Sequence, residues 1–212
     1  MIWESHPWRD ELKRIADRFD SWRRGYDDGG EQTSFEQERD VFLSAFILRK
    51  LIEAKKLPNS LVAATTNVDA YPLIERVPDH MNWHRLEEFY DWDRPGKRTL
   101  TVEQLCNQFI HSFIFTVETS FDEDDPPSTP VGLRGFLVSS DRERSSVLLR
   151  VYLDHYVQLL RRAVGEEVVA SQMIRDQLGQ WVVINLSAED VEGEDPTWRD
   201  RAAALKPCLP PP

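Results

Sequence analysis

Along the first quarter of the chain the apolar residues recur every three or four positions. Trp8, Leu12, Ile15, Ala16, Phe19 and Trp22 form one such series, the spacing that lines one face of an α-helix. Gly25 and the run Asp27-Asp28-Gly29-Gly30 end it. A second series, Val41, Phe42, Ala45, Phe46, Ile47, Leu51 and Ile52, follows Ser34-Phe35-Glu36-Gln37. The serine and glutamine stand in capping-box order, so the pattern predicts a helix that runs to about Leu57, where Pro58-Asn59 stops it. From 59 to 98 the prolines Pro72, Pro78 and Pro95 interrupt every period, and only Trp83 to Tyr90 reads as a short amphipathic helix. Thr101-Val102-Glu103-Gln104 is another capping box, and Val102, Leu105, Cys106, Phe109, Ile110 and Phe113 carry a third, short helix.

Beyond Phe113 the period shifts toward two. Phe113 to Thr119, Gly132 to Val138, Val147 to Leu153, Val168 to Ile174 and Trp181 to Leu186 are short and rich in β-branched or aromatic residues, which predicts a meander of four or five strands. His155 to Val164 places Tyr156, Leu159, Leu160 and Val164 at helical spacing, so one helix should cover that sheet. The expected fold class is α+β. Two long antiparallel helices and a short third one, over about 7–115, join a small antiparallel meander with one covering helix, over about 113–186. Residues 1–186 then form a single domain. The stretch 187–212, acidic and ending Pro210-Pro211-Pro212, reads as a disordered tail.

Composition narrows the function classes. The formal net charge is -11, which disfavours general attraction to nucleic-acid phosphates without excluding a local basic cleft. Nothing signals DNA recognition; RNA stays open. Only two cysteines occur, Cys106 and Cys208, too few for a disulfide framework and suited to a reducing compartment. The first residues lack a basic and then apolar leader, and no apolar run reaches the roughly 18 residues that span a bilayer. A soluble, cytoplasmic protein without membrane contact is expected. No phosphate-binding loop, dinucleotide glycine fingerprint, paired Cys-x-x-Cys, nucleophile elbow or zincin motif is present, so no cofactor and no metal is expected.

The segment with most chemistry is Leu105-Cys106-Asn107-Gln108-Phe109-Ile110-His111. Asn107 and His111 are four apart and share a helix edge with Glu103. A histidine beside an amide is suited to general-base work and phosphate positioning, because imidazole changes charge near neutrality. The ordinary alternative is a histidine bonded to a nearby carbonyl. Arg39, Arg49 and Lys50 lie on the preceding helix and offer a phosphate clamp, or else pair with Glu36 and Glu53. His80 and His84, four apart and near Glu87 and Glu88, form a second constellation, which lacks a well-spaced third metal ligand. Seven tryptophans, with Trp3, Trp8 and Trp22 near the start, point to packing and to a docking surface.

Asn107-x-x-x-His111 late in a helix, after a long helix ending Arg49-Lys50-Leu51-Ile52, resembles the HEPN superfamily of small helical domains. The run of motifs is also similar to a group of bacterial proteins. The resemblance covers at most residues 7–115 and implies a metal-independent ribonuclease or toxin, commonly dimeric. The family's active pattern puts an arginine before the polar residue, and here that position is Cys106. Cysteine supplies no fixed charge for a phosphate. Two functions are therefore expected as alternatives. One is a non-catalytic interaction or regulatory protein on a HEPN-like core, in a toxin–antitoxin or phage-defence context. The other is a ribonuclease using His111 and Asn107, with Arg49 as substitute phosphate ligand. Expected partners are a second copy, joined through the second and third helices, or another protein.

Overall fold

The structure is a computed structural model that describes residues 3–25, 31–121, 130–176 and 178–192. Helix α1 (His6–Arg24) begins with Pro7 in its first turn and buries Leu12, Ile15, Ala16 and Phe19, the face the periodicity marks. Helix α2 (Glu31–Glu53) starts before Ser34. Ser34 and Gln37 are therefore interior residues rather than a cap, and Gln37 is buried with neither side-chain polar atom bonded among the described residues. The helix also stops before Leu57. Lys55 takes a left-handed φ of 56°. Its N–H donates to Ile52 O at 3.0 Å and that of Lys56 to Leu51 O at 2.9 Å. These two bonds close the carbonyls of the last turn as a Schellman motif, normally built on glycine.

A four-residue α3 (Asn59–Val62) leads into strand β1 (Thr65–Pro72), and β2 (Gly96–Thr101) runs back beside it. Both lie where the prolines hid any boundary. Trp83 to Tyr90 is not an amphipathic helix but a set of turns with one 3-10 turn at Leu86–Glu88. Helix α4 (Val102–Ile110), strands β3 (Ser112–Phe121), β4 (Pro130–Ser140) and β5 (Val147–Tyr152) and helix α5 (Leu153–Gly165) follow. Then come β6 (Ala170–Arg175), β7 (Trp181–Leu186) and α6 (Ala188–Glu192).

The expected α+β class is present, with a different strand allotment. Five strands form one antiparallel sheet in the order β2-β1-β5-β4-β3. Strands β6 and β7 do not extend the meander. They make a separate two-stranded hairpin that docks on α3 and on the end of α2. Asn185 anchors it: its side-chain N–H groups donate to Lys55 O at 2.8 Å and Leu57 O at 3.3 Å, and its backbone N–H to Asn59 Oδ1 at 3.0 Å.

Side chains alternate across the sheet, so it has two buried faces. Phe136, Val138, Leu149 and Val151 join Phe19, Leu48, Phe109 and Tyr156 in the main core. Leu137, Leu148, Ile114 and Tyr71 meet Leu86, Phe89 and Tyr90 of the connection across 73–95 on the opposite face. The helical and strand-rich stretches are thus not separable parts: α1 lies on α5 and β4, α2 on α4, and the sheet is the floor for all of them. A Cβ at Gly132 would stand 2.3 Å from Arg23 O, which is why β4 carries a glycine where α1 ends above it.

Part of the expected tail is ordered as well. Asp190 N–H donates to Ser187 Oγ at 3.1 Å, Ser187 N–H returns to Asp190 Oδ2 at 2.8 Å, and Ser60 Oγ donates to the same oxygen at 2.8 Å. This reciprocal cap holds α6 on α3; residues 193–212, with Trp198 and Cys208, lie outside the described residues. No helix among the described residues is long and apolar enough to cross a membrane.

Candidate functional site: an arginine and amide cleft on helix α4

The cap that starts α4 is the one the sequence marks. Gln104 N–H donates to Thr101 Oγ1 at 3.2 Å, and Thr101 N–H donates to Gln104 Oε1 at 2.9 Å. Val102, Leu105, Cys106 and Phe109 face the core, so the helix turns Gln104, Asn107 and Gln108 toward β2 and the β4–β5 turn. His111 closes the helix as its C-cap, at φ -109° and ψ 25°, with its N–H on Asn107 O at 3.1 Å. It stands one step past the helix rather than within it. Its imidazole is exposed and makes no bond among the described residues.

Asn107, His111 and Arg49 line one open cleft of about 660 Å³, together with Arg98, Arg142 and Glu143. The histidine, amide and arginine singled out from the sequence are therefore brought together. Arg49 reaches across from α2: its Nη1 donates to Asn107 Oδ1 at 3.2 Å and contacts Glu103 Oε1 at 2.5 Å, while Nε meets Glu53 Oε1 at 2.8 Å. The Glu53 hydrogen bond, aided by the Glu103 charge, holds Arg49 more firmly protonated than usual. Two carboxylates already occupy it.

Arg39 is not in the cleft. It turns to Asp40, giving Nε and Nη2 to Oδ1 at 3.0 and 2.9 Å, while Arg18 Nε takes Oδ2 at 2.5 Å. Asp40 is fully buried, and a buried carboxylate requires paired donors, so it recruits both arginines. His80 and His84 sit in turns instead of on a helix, with His80 against the Phe113 ring at 4.9 Å. Among the described residues no three metal-ligating side chains gather.

Arg98, Gln108, Arg142 and Glu143 were not singled out as site residues. Arg98 grips Glu143 through two bonds of 2.8 and 2.9 Å, and Gln108 Nε2 adds a third at 3.1 Å. Gln108 Oε1 also accepts the Ser140 N–H at 3.2 Å. This network fixes the turn across 141–146 over the end of α4 and presents Arg142, which has no side-chain partner among the described residues. The polar run Ser139 to Arg144 was legible as a turn. Its position over α4 was not, because β2 and the β4–β5 pairing set it.

Comparison with protein-family models, with curated proteins and with solved structures finds no match for this chain. The fold and the cleft define its class: an α+β protein whose helices and antiparallel sheet share one core, with a polar, arginine-bearing cleft at the end of α4. Finer assignment rests on the chemistry of that cleft.

Proposed function

We propose that this chain is a non-catalytic interaction or regulatory protein, built around a HEPN-like pair of helices, α2 and α4, and acting through the cleft at His111. The observation that carries this reading is the commitment of its charges. Arg49 is held by Glu53 and Glu103 and Arg98 by Glu143, while Cys106 replaces the arginine of the resembling family with a buried thiol. A phosphate clamp needs preorganised, uncompensated charge, and only Arg142 offers it among the guanidiniums lining the cleft. A protein partner presenting an acidic group to Arg142 suits such a surface, as does a second copy docked on the exposed Phe46 and Ile110 of α2 and α4. A toxin–antitoxin or phage-defence setting fits a regulatory protein of this kind.

The second reading, a metal-independent ribonuclease, is supported by the shared cleft of His111, Asn107 and Arg49. In it the imidazole would take the proton of a ribose 2′-hydroxyl while Arg49, released by its carboxylates, neutralises the phosphate. A cleavage assay on single-stranded RNA in chelator separates the two. The interaction reading expects no cleavage above a His111→Ala control; cleavage by the wild type that falls at least a hundredfold in His111→Ala would overturn it and establish the nuclease.

A further inference from the structure

A second cavity, of about 420 Å³, lies between the start of α1, the end of α2 and the β6–β7 hairpin. Lys55, Lys56, Arg9, Ser5, Ser171 and Glu167 line it. Acidic residues outnumber basic ones in this chain, 37 to 26, and most cations on the described surface are paired with a carboxylate, from Arg14 to Arg162. Lys55 and Lys56 are exceptions: adjacent, facing one cavity, and without a side-chain partner among the described residues. Arg9 adds fixed charge behind them. Its guanidinium is buried, bonded to Ala163 O, to Glu166 O at 3.0 Å and to Lys56 O at 2.9 Å, so backbone carbonyls hold it in place, with the charges of Glu167 and Glu166 nearby but neither carboxylate bonded to it among the described residues.

The position of Lys55 is costly for a lysine. Its left-handed φ suits glycine, and a side chain there strains the helix end, yet the chain places an ammonium at that point. The pocket also offers hydroxyls. Ser5 begins α1 without capping it, and Ser171, whose hydroxyl donates to Asn185 Oδ1 at 2.8 Å, retains its acceptor lone pairs. Glu167 is the carboxylate of the lining and makes no ion pair with either lysine, which leaves it open to a hydroxyl donor.

We propose that this pocket binds a small phosphorylated sugar or polyol, with the phosphate on the ammonium groups of Lys55 and Lys56 and a ligand hydroxyl donated to Glu167. Ammonium groups are compact phosphate ligands, and a local cluster of them in a chain of net charge -11 concentrates an anion at one place. The site is separate from the His111 cleft and does not depend on its function.

Isothermal titration of the full chain with ribose 5-phosphate, inorganic phosphate and ribose tests the assignment. Ribose 5-phosphate should bind one site per chain, at least tenfold tighter than either inorganic phosphate or ribose. The double variant Lys55→Gly with Lys56→Gln should weaken it at least tenfold. Because glycine relieves the strained turn, that loss would occur in a chain no less stable than the wild type by thermal melting, which separates binding from folding. Unchanged binding in the double variant, loss in Arg142→Gln instead, or heats that only track ionic strength would each overturn the proposal.

Discussion

Cys106 lies on the core-facing side of α4, and its surroundings exclude a charge. It is fully buried between α2 and the sheet, and burial pushes its thiol up to about 12. The thiolate is the reactive form, so Cys106 should react with a thiol reagent at pH 8 at least about a hundredfold slower in the native protein than in denaturant. Labelling of native Cys106 within minutes would show that the α2–α4 contact opens. Asp69 is the opposite case. Burial works to raise its carboxyl, yet hydrogen bonds from Lys97 and Tyr152, with the charges of Lys97 and Arg150, bring it below the ordinary value. A carboxylate so lowered contributes stability above its unfolded pKa, near 4, and that contribution disappears as pH falls through the folded value. Asp69→Asn should therefore lower Tm at pH 7 and leave it unchanged near pH 2; equal losses at both would assign the effect to packing.

At the scale of elements, the boldest departure is the hairpin of β6 and β7. A lone two-stranded hairpin is marginal in water, and this one keeps Met173, Leu178 and Trp181 exposed. Asn185 holds it, its amide and backbone N–H satisfied by Lys55, Leu57 and Asn59. Asn185→Ala removes the side-chain bonds and leaves two carbonyls without that donor, a cost of about 2 kcal/mol. Hydrogen exchange should then quicken across 170–186 while β4 and β5 stay protected; loss of protection throughout would mean that hairpin and sheet unfold as one unit. Elements differed in how legible they were for a local reason. The α4 cap was readable because its partners are three residues apart. Strands β1 and β2 were not, because β1 carries Asn67, Asp69 and Pro72, residues depleted from strands, and Asp69 is tolerated only through partners that lie 28 and 83 residues away.

For the whole molecule, Phe46 of α2 and Ile110 of α4 are both exposed, and under the proposed function it is on them that a second copy docks. Docking about a twofold axis through that patch would bring each His111, the residue after Ile110, within about 10 Å of the partner, since an isologous contact presents the same patch from both copies. Sedimentation at micromolar concentration should show a dimer, and Phe46→Glu should convert it to monomer without lowering Tm by more than a few degrees. A wild-type monomer, or a dimer indifferent to Phe46→Glu, would remove the composite site.

The sequence by itself determined the α+β class, the three N-terminal helical stripes, the cap at Thr101 and the candidates Asn107, His111 and Arg49, because each depends on spacings of one or two turns or on residue chemistry alone. Tertiary structure decided the rest. It put β1 and β2 into the sheet beside β5, sent β6 and β7 to a separate hairpin, and brought the turn across 141–146 over the end of α4 through Arg98, Gln108 and Glu143. It also took Arg39 away to Asp40 and loaded Arg49 with two carboxylates. These outcomes are set by pairings between distant residues, in which one buried carboxylate or one strand register redirects side chains whose local pattern reads the same either way.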